Sequence, residues 1–401
     1  MKILFVINTL GRAGAETALL ELLRKLPQRE CEISLYVMLG QGELAAQLPK
    51  NVKLLNMNYK NCSVLSAKGR VELAKTVLQS FFRNGNLLKK TGILLKNMTV
   101  MIKKRRLMPD KLFWRILAEG GEPQNGQYDL AVAYLEGAST YFVADHVHAA
   151  KKAAFLHIDY GSAGYTRELD QRCYQKFDRI FAVSDEVSDR FLDMYPECRS
   201  RMRVFHNMID QERIRRLAEE DGGFEAGFSG FRILTVGRLT RQKAYDLAMQ
   251  ALYLLKKEGI RVRWYVLGEG SQRGQLEKQR ADLGLKDDFI FLGAVDNPYP
   301  YYRQCDLYVH ATRYEGKSIA IQEAQTLGCA VLASDCSGNR GQIREGVDGR
   351  FCQLTPEGIA AGIRELLMDR KERERLGKAA ACKKMVYQED LEQLLELLPG
   401  S

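Results

Sequence analysis

The chain is short of several features that would settle its class at once. Its nine cysteines are an odd number and form no Cys-x-x-Cys pair. That excludes a zinc ribbon and a disulfide framework, and it points to a reducing cytoplasm. No apolar run approaches the ~20 residues of a membrane-spanning helix. The opening stretch, "MKILFVINTLGRAGAE", resembles a signal peptide until charge returns at Arg12 and Glu16. It reads better as a first strand running into a glycine loop. Neither that loop nor the one after residue 236 has Gly-x-Gly-x-x-Gly spacing, so hydride transfer is disfavoured. An Asp-x-Asp metal site is also missing. Asp287 and Asp288 read as a solvated turn, and His146 and His148 have no third ligand near in sequence.

Acidic residues are missing from one region. Residues 60–115 hold fourteen Lys/Arg against Glu72 and Asp110, while the whole chain carries +10, so the rest is slightly negative. Within that region Leu87, Leu88, Leu94, Leu95, Met98, Met101 and Ile102 read as one helical stripe with lysines between. The cationic run "IKKRRLMPDKLFW" (102–114) follows. A basic amphipathic helix of this kind suits an anionic membrane surface. The alternative is a solvated helical insertion packed on its own domain. Nucleic acid is disfavoured because the aromatics make no stacking pattern.

A length of 401 residues is enough for two domains, each with a core. Short apolar runs alternate with helical patterns: "KILFVI" (2–7), "SLYVM" (34–38), "VKLLNM" (52–57), "LAVAY" (130–134), "AAFLH" (153–157) and "RIFAV" (179–183). After the Gly-rich acidic stretch 218–230 come "FRILTVG" (231–237), "RWYVLG" (263–268), "FIFLG" (289–293), "LYVHA" (307–311), "AVLAS" (330–334) and "RFCQL" (350–354). Near-continuous apolar strands between helices predict parallel sheets covered on both faces. Each half opens with a strand, a loop and a helix. The expectation is two Rossmann-like domains facing across a cleft, with ligands at the carboxyl ends of the strands.

The most informative stretch is "RYEGKSIAIQEA" (313–324). Glu315 and Glu323 stand eight positions apart, an interval that recurs at Glu212/Glu220, Glu269/Glu277 and Glu357/Glu365, so the spacing alone decides nothing. The context does. A buried strand precedes Glu315, and a helix begins near Ser318, which reads as its N-cap. The Gly316-Lys317-Ser318 turn lacks the glycine-rich approach of a P-loop. Its amides, at a helix start, still suit an anion. In "VGRLTRQKAYD" (236–246), Arg238 follows a strand and Lys243 begins the next helix. Arg as a fork and Lys as a point charge suit a diphosphate there. Glu323 would then reach a ribose hydroxyl pair and Glu315 the hydroxyls of a sugar. The distance along the helix is about 12 Å, the order a nucleotide-sugar needs.

Taken together, "EGKSIAIQEA", "VGRLTRQKAYD", "VFHNMID" (204–210), "VLGEG" (266–270) and "GVDGRF" (346–351) resemble the donor domain of a GT-B glycosyltransferase. The likeness is to the large retaining family 4, also called group 1 glycosyltransferases. The Glu-Gly-Lys-Ser form resembles enzymes of bacterial capsule, exopolysaccharide and cell-wall glycan synthesis. "NTLGRAGAE" (8–16), "YDLAVAYLEGASTYFVA" (128–144) and "KAAFLHIDY" (152–160) resemble the same group. The likeness is weakest over 60–118.

The resemblance implies that Arg238 and Lys243 hold the donor diphosphate, with Gly237 beside them. It places Glu315 on the transferred sugar and Glu323 on the ribose. Gly316, Lys317 and the amides of Ser318 and Ile319 would meet phosphate or sugar. Gly14 would let the backbone approach the donor, and His157 would face the sugar from the acceptor side. Glu136 is a further candidate for the acceptor side, and the glycine turn 267–271 for the donor side. His206 and His310 read as structural. The chain departs from the family at Ala244, often glycine, and at Lys317-Ser318, often Phe-Gly.

These readings give an acceptor-side domain at 1–205 with a basic insertion at about 60–118. A donor domain follows at 206–385, and a C-terminal helix at 386–401 that crosses back. They predict a hexosyltransferase acting with retention, without metal or bound cofactor. Its donor is a nucleotide-sugar, a UDP-sugar first, and its acceptor a lipid-linked glycan at the inner face of the plasma membrane. A sugar-nucleotide epimerase and a non-catalytic nucleotide-sugar-binding scaffold are the rival readings.

Overall fold

A computed structural model describes residues 1–27, 30–103, 108–124, 126–161, 163–385 and 387–399. The chain divides into two compact units, Met1–Met208 with Val386–Ser401, and Ile209–Met385.

The first unit is built on seven strands: β1 (Lys2–Ile7), β2 (Glu32–Val37), β3 (Val52–Leu54), β4 (Tyr128–Ala133), β5 (Ala149–Leu156), β6 (Arg179–Ala182) and β7 (Met202–Val204). Every pairing is parallel, in the order β3-β2-β1-β4-β5-β6-β7. The second unit has six: β8 (Phe231–Val236), β9 (Val262–Leu267), β10 (Phe289–Gly293), β11 (Leu307–His310), β12 (Val331–Ser334) and β13 (Arg350–Cys352). They too are all parallel, in the order β10-β9-β8-β11-β12-β13. Ile3 to Ile7 of β1 are wholly buried, as expected for a strand covered on both faces. The helix Tyr245–Lys257 buries Ala248, Leu252 and Leu255, one stripe at helical spacing. Each such leucine removed from water contributes about 2 kcal/mol.

In each sheet the strand order reverses once, between β1 and β4 and between β8 and β11. The crevice outside the carboxyl ends at such a reversal is where parallel α/β sheets receive ligands. The twelve strands expected from the apolar runs are all present. β7 was not among them; three residues ending in Val204 are too short to show a period.

The basic region forms helices Ala67–Phe82, Leu87–Lys103 and Pro109–Glu119. The expected single stripe is divided between two faces. Lys90, Ile93, Asn97 and Met101 point inward, while Leu88 (92% exposed), Leu95 and Ile102 (72%) face water. Hydrogen bonding explains the exchange. The Lys90 ammonium donates to the carbonyls of Ser80 (2.8 Å), Phe81 (3.2 Å) and Arg83, closing the C-terminal end of the preceding helix. Asn97 Nδ2 donates to the Leu112 carbonyl at 3.2 Å. Residues 104–107 of the cationic run lie outside the described residues. No helix among the described residues is long and apolar enough to cross a membrane. The helix Gln388–Leu395 joins the first unit, where Asp390 accepts from the His206 N–H at 3.0 Å.

Candidate active site

Two loops meet at the reversal point of the second sheet, one leaving β8 and one leaving β11. Their backbones are tied directly. The Arg313 N–H donates to the Gln242 carbonyl at 2.8 Å and the Thr312 hydroxyl to the same oxygen at 3.1 Å. Gln242 Nε2 donates to the Tyr314 carbonyl at 2.9 Å, and Arg313 grips Asp246 with two bonds of 3.0 and 2.7 Å. Lys243 ends a short 3₁₀ turn, and Ala244 then adopts φ 47°, ψ 33° before the helix Tyr245–Lys257 starts. That left-handed conformation is the one glycine takes freely, which accounts for the family's preference there.

This clamp places Lys243, Glu315 and His310 together. The Lys243 ammonium donates to Glu315 Oε2, and His310 Nε2 lies 3.1 Å from the same oxygen. Burial alone would raise Glu315. The Lys243 charge, with bonds from His310 and Lys243, outweighs burial and holds the carboxyl well below its usual range. Burial first, then the Lys243 charge, pushes His310 down to about 4, so the ring is neutral at neutral pH. Expected to be structural, His310 is in contact with both charged groups.

Gly237 and Arg238 leave β8 over a floor made by the 268–270 loop. Leu239 N–H donates to the Glu269 carbonyl at 3.0 Å. A Cβ on Gly268 would come within 2.1 Å of the Gly237 carbonyl oxygen, and one on Gly270 within 2.3 Å of that of Leu239. The glycine turn therefore shapes the Arg238 segment by close approach. Arg238 itself is exposed, and no hydrogen bond or ion pair of its guanidinium occurs among the described residues. On the other side, a Cβ on Gly338 would meet the Glu315 carbonyl oxygen at 2.2 Å and that of Gly316 at 2.4 Å. Gly338 thus backs the Glu315 turn, a role that nothing near it in sequence announces.

The helix Ile319–Thr326 begins beside this turn. Ser318 occupies the N-cap position, but its side chain makes no capping bond; Gly316, Ser318 and Ile319 are buried and Lys317 is half-buried. The first N–H groups of any helix lack intrahelical acceptors and favour negative charge. Glu323 is buried, with Tyr299 Oη 3.1 Å from Oε1 and Tyr302 Oη 3.0 Å from Oε2. The two tyrosines, both missed in the sequence, fix the direction of the carboxylate.

A second cluster lies at the reversal point of the first sheet. Asn8, just past β1, donates Nδ2–H to the Glu136 carbonyl at 2.7 Å and accepts from the Ser139 N–H at 2.9 Å. The Glu136 carboxylate accepts from the N–H groups of His157 (2.5 Å) and Ile158 (3.2 Å), just past β5. Burial dominates those bonds and raises Glu136 to about 7. His157, 9% exposed, lies against Tyr134 with ring centroids 4.9 Å apart. Among the described residues neither ring nitrogen meets a partner at hydrogen-bond geometry, and burial, opposed by the nearby Tyr134 backbone, lowers it to about 3. Gly14 is the first residue of the helix Gly14–Lys25 and is exposed.

The structure thus gathers Gly237, Arg238, Lys243, Glu315, Gly316, Lys317, Ser318, Ile319 and Glu323 around one end of the second sheet. His157 and Gly14 belong to the first unit. An open groove at the amino ends of the second sheet, lined by Phe228, Arg232, Asp306 and Arg364, is separate from this cluster; its Arg364 is paired with Glu258 at 2.7 Å. His146, weighed as a metal ligand, lies 3.5 Å from Glu119. No group of three or more His, Cys, Asp or Glu able to hold a metal occurs among the described residues.

Residues 229–383 match the family described as glycosyl transferases group 1. The chain is 28% identical over 200 residues to an N-acetylgalactosaminyltransferase of Campylobacter jejuni, named for its action on a diphospho-undecaprenol-linked saccharide, covering 49% of this chain and 53% of that protein. It is 26% identical over 206 residues to the lipopolysaccharide core biosynthesis glycosyltransferase LpsE of Rhizobium meliloti, 51% of this chain and 58% of that one. The chain spans about half the length of these curated relatives. Among solved structures, Anabaena HepE in complex with UDP-glucose superposes with a TM-score of 0.70 at 17% identity, over 99% of this chain and 98% of that one. At that identity the likeness speaks for the fold, which is GT-B, two Rossmann-like units with parallel sheets. The family match falls on the unit that holds Arg238, Lys243 and the two glutamates, and that unit is similar to the group 1 glycosyl transferases.

Proposed function

We propose that the protein transfers a sugar, with retention of anomeric configuration, from a nucleotide-sugar to a lipid-linked glycan or related cell-surface polysaccharide acceptor. The observation that carries this reading is the pairing of an exposed Arg238, without a side-chain partner among the described residues, with the Lys243–Glu315 cluster at a helix start. A diphosphate finds there a fork, a point charge and a ring of amide N–H groups. Glu315 takes hydroxyls of the transferred sugar and Glu323 the ribose. In transfer the bond from the anomeric carbon to the diphosphate breaks, the acceptor oxygen bonds the same face, and the acceptor's proton passes to the departing diphosphate. Arg238 and Lys243 stabilise the charge that develops on the departing diphosphate, so catalysis is electrostatic and positional. No protein nucleophile, metal or bound cofactor is assigned. His157, whose ring nitrogens meet no partner at hydrogen-bond geometry among the described residues, is assigned to the sugar, and Gly14 to close backbone approach. UDP is the nucleotide of choice because HepE is known with UDP-glucose. The lipid-linked acceptor follows from the name of the C. jejuni relative.

Thermal stabilisation by UDP, GDP, ADP and CDP tests the reading, repeated on Arg238→Ala and Glu323→Ala. A ligand of the native state raises the melting temperature according to ln(1 + [L]/Kd). One nucleotide should stabilise the wild type and neither variant. A folded protein indifferent to all four would favour the scaffold reading. Donor consumed and converted without any acceptor would favour the epimerase.

The water-facing Leu88, Leu95 and Ile102, with Lys89 and Lys96 on the same helix, support docking of a cytoplasmic enzyme on an anionic membrane surface. Sedimentation with anionic vesicles should occur and fade with salt. Equal binding to neutral vesicles, or none to either, would refute it.

A further inference from the structure

Glu315 is held by Lys243 and His310 at Oε2 and, at the longer distance of 3.4 Å, by Gln242 Nε2 at Oε1. Lys243 is a cation on a flexible stem, and a diphosphate arriving at this end of the sheet competes for it. His310 is a fully buried ring on β11, whose position the sheet fixes. Its Nε2 lies 3.1 Å from Glu315 Oε2 and 3.3 Å from Lys243 Nζ, and its Nδ1 lies 3.1 Å from the Tyr308 hydroxyl. An ammonium only donates and an ionised carboxylate only accepts; Lys243 already donates to Glu315, and the carboxylate is the nearer of the two to Nε2, so we place the hydrogen on Nε2, toward Glu315. Nδ1 then accepts from the Tyr308 O–H. Tyr308 is itself fully buried, its ring centroid 5.2 Å from that of Tyr302.

A buried carboxylate that loses its only cation is strongly penalised. When Lys243 turns to phosphate, Glu315 keeps its negative charge and its direction only if another donor stays. We propose that His310, its tautomer set by Tyr308, is the positioning residue that keeps Glu315 aimed at the sugar hydroxyls once the donor diphosphate takes Lys243. This rests on reading Lys243 and Glu315 as donor contacts. Neutrality suits the task. An imidazolium would replace Lys243 as the counter-ion of Glu315 and compete with the sugar for it.

The test begins with the nitrogen chemical shifts of the five histidines in 15N-histidine-labelled protein, His310 being assigned by the signal lost in His310→Gln. In the wild type at neutral pH the ring should be neutral with hydrogen on Nε2, both free and saturated with UDP. Tyr308→Phe should give a mixture of tautomers. Calorimetry with UDP and UDP-glucose supplies the second readout. In Tyr308→Phe and His310→Leu the affinity for UDP should stay within about twofold. The preference for UDP-glucose over UDP should fall about fivefold, the scale of one hydrogen bond. His310→Gln, which restores an N–H, should recover part of it. A ring with hydrogen on Nδ1, an imidazolium, or an unchanged preference in a protein that binds UDP would overturn the inference alone. A wild type that binds no nucleoside diphosphate would overturn the donor-site reading and this inference with it. Should Tyr308→Phe fail to fold, the wild-type tautomer still decides.

Discussion

Glu315 and Glu136 occupy corresponding places in the two units. Each follows the strand that joins the first strand of its sheet from the far side, β11 beside β8 and β4 beside β1. Each also contacts a histidine, His310 or His157. The surroundings then diverge. Glu315 has a cation, and its carboxyl is held low in spite of burial. Glu136 accepts from backbone N–H groups, with the Lys111 charge the weakest of the influences lowering it, and burial outweighs them all and brings it up to about 7. One fold step therefore yields a fixed charge in the second unit and a group close to neutrality in the first. The difference comes from one lysine that a left-handed turn at Ala244 delivers. Charge suits an exchange of partners with a phosphate. A poised carboxyl beside a buried, neutral imidazole suits uncharged hydroxyls.

The largest way to break this contrast is to remove the lysine. Lys243→Met should destabilise the protein by about 3 kcal/mol at pH 8, because it strands Glu315 without a cation. The loss should shrink at pH 5, where Glu315 is able to protonate. Urea unfolding at the two pH values checks this. Arg238→Ala, by contrast, should leave stability unchanged.

Glu136→Gln should move the other way. A carboxyl raised from 4.5 to about 7 in the folded state makes folding less favourable as pH climbs through that interval. The substitution should therefore stabilise by about 1–3 kcal/mol at pH 8, with the gain vanishing below pH 4.5. A gain that does not depend on pH would show that Glu136 is not the titrating group.

The histidines titrate in the opposite sense. His157 and His310 are lowered from 6.5 to about 3 and about 4, so between 6.5 and about 4 the unfolded chain binds more protons than the folded one. Stability should fall as pH drops through that window. Each histidine contributes about 1.4 kcal/mol per pH unit crossed, and the slope should lessen in His157→Asn. The smallest effect is at Ala244. Ala244→Gly relieves a left-handed alanine and should stabilise by about 1 kcal/mol without altering nucleotide binding. A loss of stability would mean that the turn relaxes in solution.

Much of the sheet architecture was legible because parallel strands covered on both faces advertise themselves as apolar runs. β7 was not, since three residues carry no period. The donor end was legible in outline: Arg238, Lys243, Glu315 and Glu323 stand just past strands or at helix starts, where chain order already fixes position. What joins them was hidden. Tyr299 and Tyr302 precede Glu323 by some twenty residues, and Tyr308 and His310 look like ordinary members of a buried strand. The helix Leu87–Lys103 deceived for another reason. Periodicity ranks side chains by polarity, whereas Lys90 is buried because three carbonyls await it. Its leucines are left outside in consequence.

Gly268, Gly270 and Gly338 carry a practical consequence for anyone who dissects this protein one residue at a time. Replacing side chains with alanine deletes atoms almost everywhere, and the loss reports what the side chain did. At these three positions the same replacement inserts a methyl group into space already held by a neighbour's carbonyl oxygen. The harm will then be an intrusion rather than an omission. It will be largest in the 268–270 loop and the short helix Ser337–Arg340, and it will be felt at Arg238 and Glu315.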